Sequence, residues 1–384
     1  MKPITLILFL TVSFLSEAQI ESDVETIFDR KASINKEILE VPFVPRYEEK
    51  LNIKGRYEAV GDVNLWVEVE GEGTPLVLIS GGPGTSHHYF HPHMEPEAEY
   101  AQVIYYDMRG VGLSDYNPGE SGYNVEQAVD DLEGLRVKLG VDKWVVLGLS
   151  FGGIVAQLYA VKYPHNTLGM IYLSSALPMS IDVGMGSRQY DYLSEEERNR
   201  IGEIYQIDGV RTPPVRSEKV GAAKQREMLF NAFSNGDWKR RHIKKWTVED
   251  MAMYARYEFV QDEGYYGAMF KDYFEYDLKG VFMECPIPTL IIEGKWDLAF
   301  SDKKAKLFFE QFPNAEHVLM ENCGHLPFED EPEKFHQVLK DFMVSIQPAD
   351  DDALNEWISE AEQMNYRNKN VVQQPLTIQS GKNK

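Results

Sequence analysis

The sequence predicts an α/β fold with a mostly parallel central sheet flanked by helices and an inserted helical cap. Three observations support this prediction. A segment of alternating apolar and polar residues comes first, six short apolar runs then alternate with helical segments, and one long stretch interrupts that alternation. Because successive strand–helix–strand units form parallel sheets with right-handed crossovers, the six runs are expected to share one sheet.

The alternating segment predicts an antiparallel hairpin. Residues 56–60 and 63–70 flank a Gly-Asp turn, and Leu65, Val67 and Val69 alternate with other residues in the second strand. Strict alternation is typical of a strand with one buried face. We therefore expect the odd-numbered positions to face a core.

The later strands are expected to be buried on both faces, since their apolar residues are continuous. The six runs are residues 75–80, 102–107, 144–148, 168–174, 288–293 and 317–320. Between the second and third runs, apolar residues recur at helical spacing from Val125 to Leu139. Asn124 with Gln127 three residues later is typical of a helix start.

The cap is predicted from residues 178–284, which have helical periodicity and no strand-like run. This insertion divides the core into residues 55–177 and 285–347, and we expect it to cover the strand ends. Residues 19–54 are a charged N-terminal extension. Residues 348–384 are predicted to form an amphipathic helix over 350–364 followed by a polar tail.

The first 18 residues predict export. Lys2, an apolar run over 4–15 and Ser-Glu-Ala at 16–18 are typical of a secretory signal peptide cleaved after Ala18. The run is too short for a permanent span, so we expect a periplasmic or extracellular protein without stable membrane insertion. Cys285 and Cys323 are the only cysteines, which allows one disulfide at most and favours two free buried thiols.

Composition limits the partners. The hydrophobic content of 43% excludes a disordered chain, and 39 Lys and Arg against 61 Asp and Glu give a net charge of −22. Such a charge repels phosphate backbones, so nucleic acid is not expected as a partner. The acidic surface either attracts cationic small molecules or only maintains solubility.

A candidate nucleophile lies in Gly-Leu-Ser-Phe-Gly at 148–152, between an apolar strand and a helical run. In this context a serine is exposed on a tight strand-to-helix turn, and the flanking glycines allow the strained backbone. Ser150 is therefore the predicted nucleophile. The alternative is a purely structural turn.

A serine hydroxyl needs a base and an orienting carboxylate. Asp297 follows the strand over 288–293, and His325 follows the strand over 317–320, so both are expected at the same sheet edge as Ser150. His325 is predicted to take the serine proton, and Asp297 to fix its tautomer. Asp302 is the nearest alternative carboxylate.

The oxyanion donors are predicted from Ser-Gly-Gly-Pro-Gly at 80–84, directly after the strand over 75–80. The backbone N–H groups of Gly82 and Phe151 are the candidates.

Four histidines, His87, His88, His91 and His93, suggest a metal site. No carboxylate or cysteine ligand pattern accompanies them in the sequence, and a serine mechanism needs no metal. We therefore expect neither a metal nor a cofactor. The motif Asp-Met-Arg-Gly-x-Gly-x-Ser at 107–114 is interpreted as a structural turn, because no helix follows it directly.

Together these residues resemble the α/β-hydrolase fold and, within it, the proline iminopeptidase type of serine aminopeptidase. The resemblance covers about residues 55–344. It rests on Gly-Gly-Pro-Gly at 81–84 followed by Ser86, His87 and Tyr89, on the 107–114 motif, on Gly-x-Ser-x-Gly-Gly at 148–153, on Gly-x-x-Asp at 294–297 and on Cys-Gly-His at 323–325. It implies release of an N-terminal amino acid, with proline favoured, from a small peptide or aminoacyl substrate with a free amino terminus.

Two departures bear on the substrate. The family usually has His in place of Ser80, and often Trp or Tyr in place of Phe151. Its cap glutamates hold the substrate ammonium, and Glu258, in Ala-Arg-Tyr-Glu at 255–258, resembles one of them. Glu249 and Glu263 are the candidates for a second. A solvated helix charge is the alternative for Glu258.

Two other functions stay open. One is a small-molecule carboxylesterase or amidase of the same fold, and the other is a catalytically inactive ligand-binding protein. Serine rather than aspartate at position 150 disfavours epoxide and haloalkane hydrolysis.

Overall fold

A computed structural model describes most of the predicted core. The described residues are 52–175, 257–295 and 302–364, without 92, 120, 121, 259 and 263 and with backbone alone for 302–305, together with Glu49, Pro178, Asp297 and Tyr366. The predicted signal peptide, most of the N-terminal extension, most of the cap and the polar tail lie outside these residues. The division into domains therefore stays a prediction.

Eight strands form one sheet in the order β1-β2-β4-β3-β5-β6-β7-β8. They are β1 (Arg56–Val60), β2 (Val63–Glu70), β3 (Thr74–Ile79), β4 (Ala101–Tyr106), β5 (Trp144–Leu149), β6 (Thr167–Leu173), β7 (Thr289–Gly294) and β8 (Glu316–Met320). β2 pairs antiparallel with β1 and β4, and the other neighbours pair in parallel. The predicted α/β fold with a mostly parallel sheet is confirmed.

The described helices cover both faces of the sheet. They are α1 (Val125–Leu139), α2 (Phe151–Lys162), α3 (Tyr265–Tyr273), α4 (Asp302–Glu310), α5 (Pro327–Asp330), α6 (Pro332–Ser345) and α7 (Asp351–Gln363). Helices α1, α2 and α7 contribute to one apolar core, and α5 and α6 contribute to the other. None of the helices in the described ranges combines the length and apolar character needed to cross a membrane.

Local sequence explains where several elements begin. Helix α1 starts at Asn124, whose side chain accepts a hydrogen bond from the Gln127 backbone N–H at 2.8 Å. Helix α7 starts at Asp350 in the same way, and Trp357 Nε1 donates to the Val281 carbonyl at 2.7 Å. The C-terminal helix is thus fixed to the segment that leads into β7.

The hairpin prediction is correct for the backbone and incomplete for the side chains. Leu65 and Val67 are buried as expected, but the even-numbered Glu68 is only 1% exposed. His87 and His91 lie 3.2 Å from its carboxylate and cover this face of β2, so the carboxylate lies inside the protein. The alternation does not predict it.

The turn over 107–114 is structural, as interpreted from the sequence. The Asp107 carboxylate accepts the backbone N–H of His87 and of Leu113, each at 2.7 Å. Ser114 Oγ donates to the Asp107 carbonyl and accepts the Trp66 N–H. This turn therefore joins β2 to the glycine loop after β3.

Arg109 in this turn forms a buried ion pair. Its Nε and Nη2 atoms each donate to Asp131 on α1 at 2.8 Å, and the guanidinium and Asp131 are 5% and 3% exposed. The Asp131 carboxylate, with a further contribution from Asp62, raises the pKa of Arg109 above its usual range although burial opposes this. The pair is hydrogen-bonded on both sides, as a buried pair requires.

Replacing Arg109 by alanine is expected to lower the free energy of unfolding by about 3–5 kcal/mol, because Asp131 would stay buried without its partner. Urea unfolding measures this change. The control is Arg56→Ala, which removes the exposed Arg56–Glu58 pair and should cost less than about 1 kcal/mol. Equal losses in the two variants would contradict a special role for the buried pair.

Candidate active site

Ser150 lies on a strained turn between β5 and α2. Its φ of 53° and ψ of −116° are unusual for a residue with a side chain, and α2 begins at the next residue. The turn is anchored to β6 and the segment after it, since Ser150 N–H donates to the Leu173 carbonyl and Ser175 Oγ donates to the Ser150 carbonyl, both at 2.9 Å. The tight strand-to-helix turn predicted around Ser150 is present, and its role as nucleophile stays a prediction.

A glycine at 152 allows the first turn of α2 to approach the end of β3. A Cβ at Gly152 would stand 2.1 Å from the Ile79 carbonyl oxygen and 2.7 Å from that of Ser80. Since a side chain would collide with this backbone, the second glycine of the motif is required by packing. The close approach also brings the glycine loop to Ser150, because a Cβ at Gly81 would stand 3.0 Å from Ser150 Cβ.

Asp297 and His325 meet beyond the ends of β7 and β8. His325 Nδ1 lies 2.8 Å from Asp297 Oδ2. The two loops are in contact, since a Cβ at Gly294 would stand 1.8 Å from the Gly324 carbonyl oxygen. The predicted pair is therefore present at hydrogen-bond distance.

Burial differs between the two partners. The Asp297 side chain is 1% exposed and the His325 side chain is 28% exposed. A carboxylate that accepts Nδ1–H leaves the imidazole lone pair on Nε2, which is the form a general base needs. Ser150, Asp297 and His325 all follow the carboxyl ends of strands that run parallel in one sheet, so the three residues lie at the same edge.

The glycine loop offers backbone donors at this edge. Gly82 has a φ of 111°, which favours glycine, and no backbone carbonyl among the described residues accepts its N–H. Phe151 belongs to the first turn of α2, where N–H groups lack intrahelical acceptors. Phe151 follows Ser150 in the chain, and Gly82 follows Gly81, where a Cβ would stand 3.0 Å from Ser150 Cβ.

Residues 257–261, in the last part of the predicted insertion, contact the glycine loop and the residue Ser86 just after it. Ser86 N–H donates to the Glu258 carbonyl at 2.6 Å, and Ser86 Oγ donates to the Tyr257 carbonyl at 2.5 Å. The Gln261 amide occupies the space beside Gly84, since a Cβ there would stand 1.5 Å from Gln261 Oε1. Sequence analysis missed Ser86 and Gln261 as contacts, because their partners lie far away along the chain.

Of the three predicted substrate glutamates, only Glu258 is described. It is half-buried, and its backbone lies directly beyond the glycine loop. Glu249 and Glu263 lie outside the described residues, so their predicted role stays a prediction.

The two cysteines are free and buried, as favoured from the sequence. Burial raises the pKa of the Cys285 thiol to about 12 and also raises that of Cys323. Neither thiol is therefore a thiolate nucleophile at neutral pH.

Comparison with known protein families shows which family the sequence matches. Residues 74–332 match the alpha/beta hydrolase fold family. The chain belongs to the α/β-hydrolase family. Helix α7 lies beyond the matched residues.

Curated relatives of this α/β hydrolase are named proline iminopeptidases. The protein from Saccharolobus solfataricus is 28% identical over 78% of this chain and 96% of its own length. Those from Lactobacillus delbrueckii subsp. lactis and Clostridium botulinum are 28% and 29% identical over 77% of this chain and 99% and 97% of theirs. The resemblance to proline iminopeptidases is thus confirmed over nearly the whole length of these relatives.

Solved structures of other α/β hydrolases share the fold. VinJ has a TM-score of 0.57 at 23% identity and covers 77% of this chain and 99% of its own. An esterase from Thermogutta terrifontis has a TM-score of 0.54 at 24% identity, over 76% and 98% of the two chains. These similarities concern the fold alone.

Proposed function

We propose that this α/β hydrolase is an exported serine aminopeptidase that cleaves an amide bond through an acyl-enzyme and releases an N-terminal amino acid, with proline favoured. The observation that carries the proposal is the 2.8 Å contact between His325 and Asp297 at the sheet edge where Ser150 sits on its strained turn. The proline iminopeptidase relatives support an aminoacyl substrate.

In the first half of the reaction, Ser150 Oγ attacks the carbonyl carbon of the N-terminal residue. His325 Nε2 takes the serine proton and then gives it to the leaving amine as the amide bond breaks. The aminoacyl group stays on Ser150 as an ester. Asp297 holds the imidazole in orientation and stabilises its positive charge.

In the second half, water attacks the ester with His325 as the base, and the free amino acid leaves with the restored serine. The negative carbonyl oxygen of each tetrahedral intermediate is stabilised by the N–H groups of Gly82 and Phe151. Loss of one such donor typically costs about 3 kcal/mol of transition-state stabilisation.

Glu258 is proposed to hold the free ammonium group of the substrate. Its backbone carbonyl accepts a hydrogen bond from Ser86, just after the glycine loop, and this closeness to the proposed oxyanion donor Gly82 supports the assignment. A carboxylate about 4 Å from an ammonium group contributes about 4 kcal/mol at an effective dielectric near 20. Because Glu258 is half-buried, solvent screening reduces this contribution.

Replacing Glu258 by glutamine is expected to lower kcat/KM for an unblocked prolyl arylamide by about 10- to 100-fold. Activity toward the N-acetylated twin of this substrate should be low in the unmodified enzyme and unchanged in the variant. The measurement is kcat/KM for both compounds.

The matched control is Glu284→Gln, which changes an exposed carboxylate at the end of the same predicted insertion. It should leave both values unchanged. Preference of the unmodified enzyme for the blocked compound would contradict the aminopeptidase and favour the carboxylesterase or amidase. Equal losses on both compounds in Glu258→Gln would place Glu258 outside ammonium binding.

Export is part of the proposal. It rests on the charge, apolar run and small-residue end of residues 1–18, which together predict a leader removed after Ala18. The mature enzyme would act outside the cytoplasm on small peptides or aminoacyl compounds.

A further inference from the structure

A second group of titratable side chains lies behind the glycine loop. We name it the Glu68 cluster, and it consists of Glu68 on β2 with His87 and His91 from the turn after that loop. Each of the three residues is 1% exposed. One ligand atom from each lies within 4.8 Å of the others. No carboxylate ligand pattern accompanies the histidines in the sequence, and the fold supplies a carboxylate from β2.

Two imidazole nitrogens converge on one carboxylate. Glu68 Oε1 lies 3.2 Å from His87 Nε2, and Glu68 Oε2 lies 3.2 Å from His91 Nε2. Each imidazole ring also has a second contact, away from Glu68. His87 Nδ1 lies 2.8 Å from Asp107 Oδ1, and the His91 ring stacks on Tyr105 with centroids 4.0 Å apart.

The 3.2 Å separations are longer than charge-assisted hydrogen bonds and match the spacing of ligand atoms around one metal ion. A hydrogen bond between a charged N–H donor and a carboxylate is typically about 2.7–2.9 Å long. Ligand atoms about 2.0–2.1 Å from a tetrahedral zinc ion stand about 3.3 Å from one another. The contact between His91 Nε2 and Glu68 Oε2 also lacks hydrogen-bond geometry.

The charges at this site also favour a bound cation. An imidazole with its proton on Nδ1, next to Asp107, presents the Nε2 lone pair to Glu68. The buried Glu68 carboxylate would add a negatively charged oxygen ligand to these nitrogen ligands. The carboxylates of Glu68 and of Asp107, which lies 2.8 Å from His87 Nδ1, would together balance the charge of a divalent cation bound there.

We propose that Glu68, His87 and His91 bind one divalent first-row transition-metal ion of the zinc type. Imidazole and carboxylate are preferred ligands of such ions. The Asp107 carboxylate would orient His87 from behind, as carboxylates commonly do for metal-bound histidines. The ion would link the turn over 87–91 to β2 and so stabilise the position of the chain that follows Gly82. It would take no part in bond cleavage.

Metal analysis of the full-length, untagged protein tests the proposal. The protein is produced with zinc in the medium and exchanged into metal-free buffer. We expect about one zinc ion per chain, and at least a tenfold lower content in Glu68→Gln and His91→Gln. Removal of the ion with a chelator should lower Tm by roughly 5–10 °C.

The matched control is His93→Gln. His93 belongs to the same histidine group but faces Glu329 at 3.6 Å, and it should keep the full metal content. Less than about a tenth of an equivalent in the unmodified protein, even after zinc addition, would overturn the proposal and favour a protonated network. Full metal content in Glu68→Gln or His91→Gln would overturn it as well.

Cobalt substitution covers the case in which these variants do not fold. The unmodified protein loaded with Co²⁺ should show the visible absorption bands of a tetrahedral site. Their absence would overturn the assignment without reference to any variant. Because both readouts are independent of catalysis, failure of the metal site leaves the proposed hydrolase function untouched.

Discussion

Replacing Ser150 by alanine is expected to lower kcat for a prolyl arylamide by about a million-fold, with little change in KM. The proposed acyl-enzyme cannot form without the hydroxyl, and the remaining residues act as a unit, so their separate contributions do not add. Residual catalysis would come from the oxyanion donors and substrate binding alone. Serine and alanine both carry a Cβ, so the positive φ of 53° strains them equally at this turn. The fold should therefore be retained.

A serine-directed fluorophosphonate provides a second measurement of the same change. It should label the unmodified protein once and Ser150→Ala not at all. The control variant Ser345→Ala removes an exposed hydroxyl at the end of α6 and should be labelled at the normal rate. Absence of labelling and turnover in the unmodified protein would instead favour the catalytically inactive ligand-binding protein.

The framework that presents Ser150 could be predicted from local patterns. Each of the six apolar runs becomes a strand whose ends lie within one residue of the prediction. This succeeds because strands buried on both faces leave a continuous apolar signal that does not depend on their partners. Because the carboxyl ends of parallel strands lie at one edge of a sheet, Asp297 and His325 could be placed at the edge of Ser150 before any distance was known.

Contacts made by single polar residues could not be predicted in this way. Ser86 is bonded to Glu258, which lies inside the predicted insertion, and nothing in either local sequence indicates the other. Glu68 occupies a position that alternation assigns to the exposed face of a strand, yet the fold buries it beside two histidines. In both cases the deciding partner comes from a distant part of the chain.

The second large effect is expected for Asp297→Asn, which should lower kcat by about 10,000-fold. The carboxylate is nearly fully buried and lies 2.8 Å from His325 Nδ1. An asparagine amide in this position donates to Nδ1 and favours the tautomer with its proton on Nε2. The imidazole then cannot accept the Ser150 proton, although the geometry of the site is nearly unchanged.

A positioning role predicts a specific pattern in the measurements. In Asp297→Asn, kcat should fall while KM changes little, the fluorophosphonate should still label Ser150 but much more slowly, and Tm should stay close to that of the unmodified protein. The control is Asp302→Asn at the start of α4, the nearest alternative carboxylate in the sequence. Full loss of activity in Asp302→Asn with normal activity in Asp297→Asn would reverse the assignment. The carboxylate that fixes the imidazole tautomer is the one whose negative charge catalysis requires.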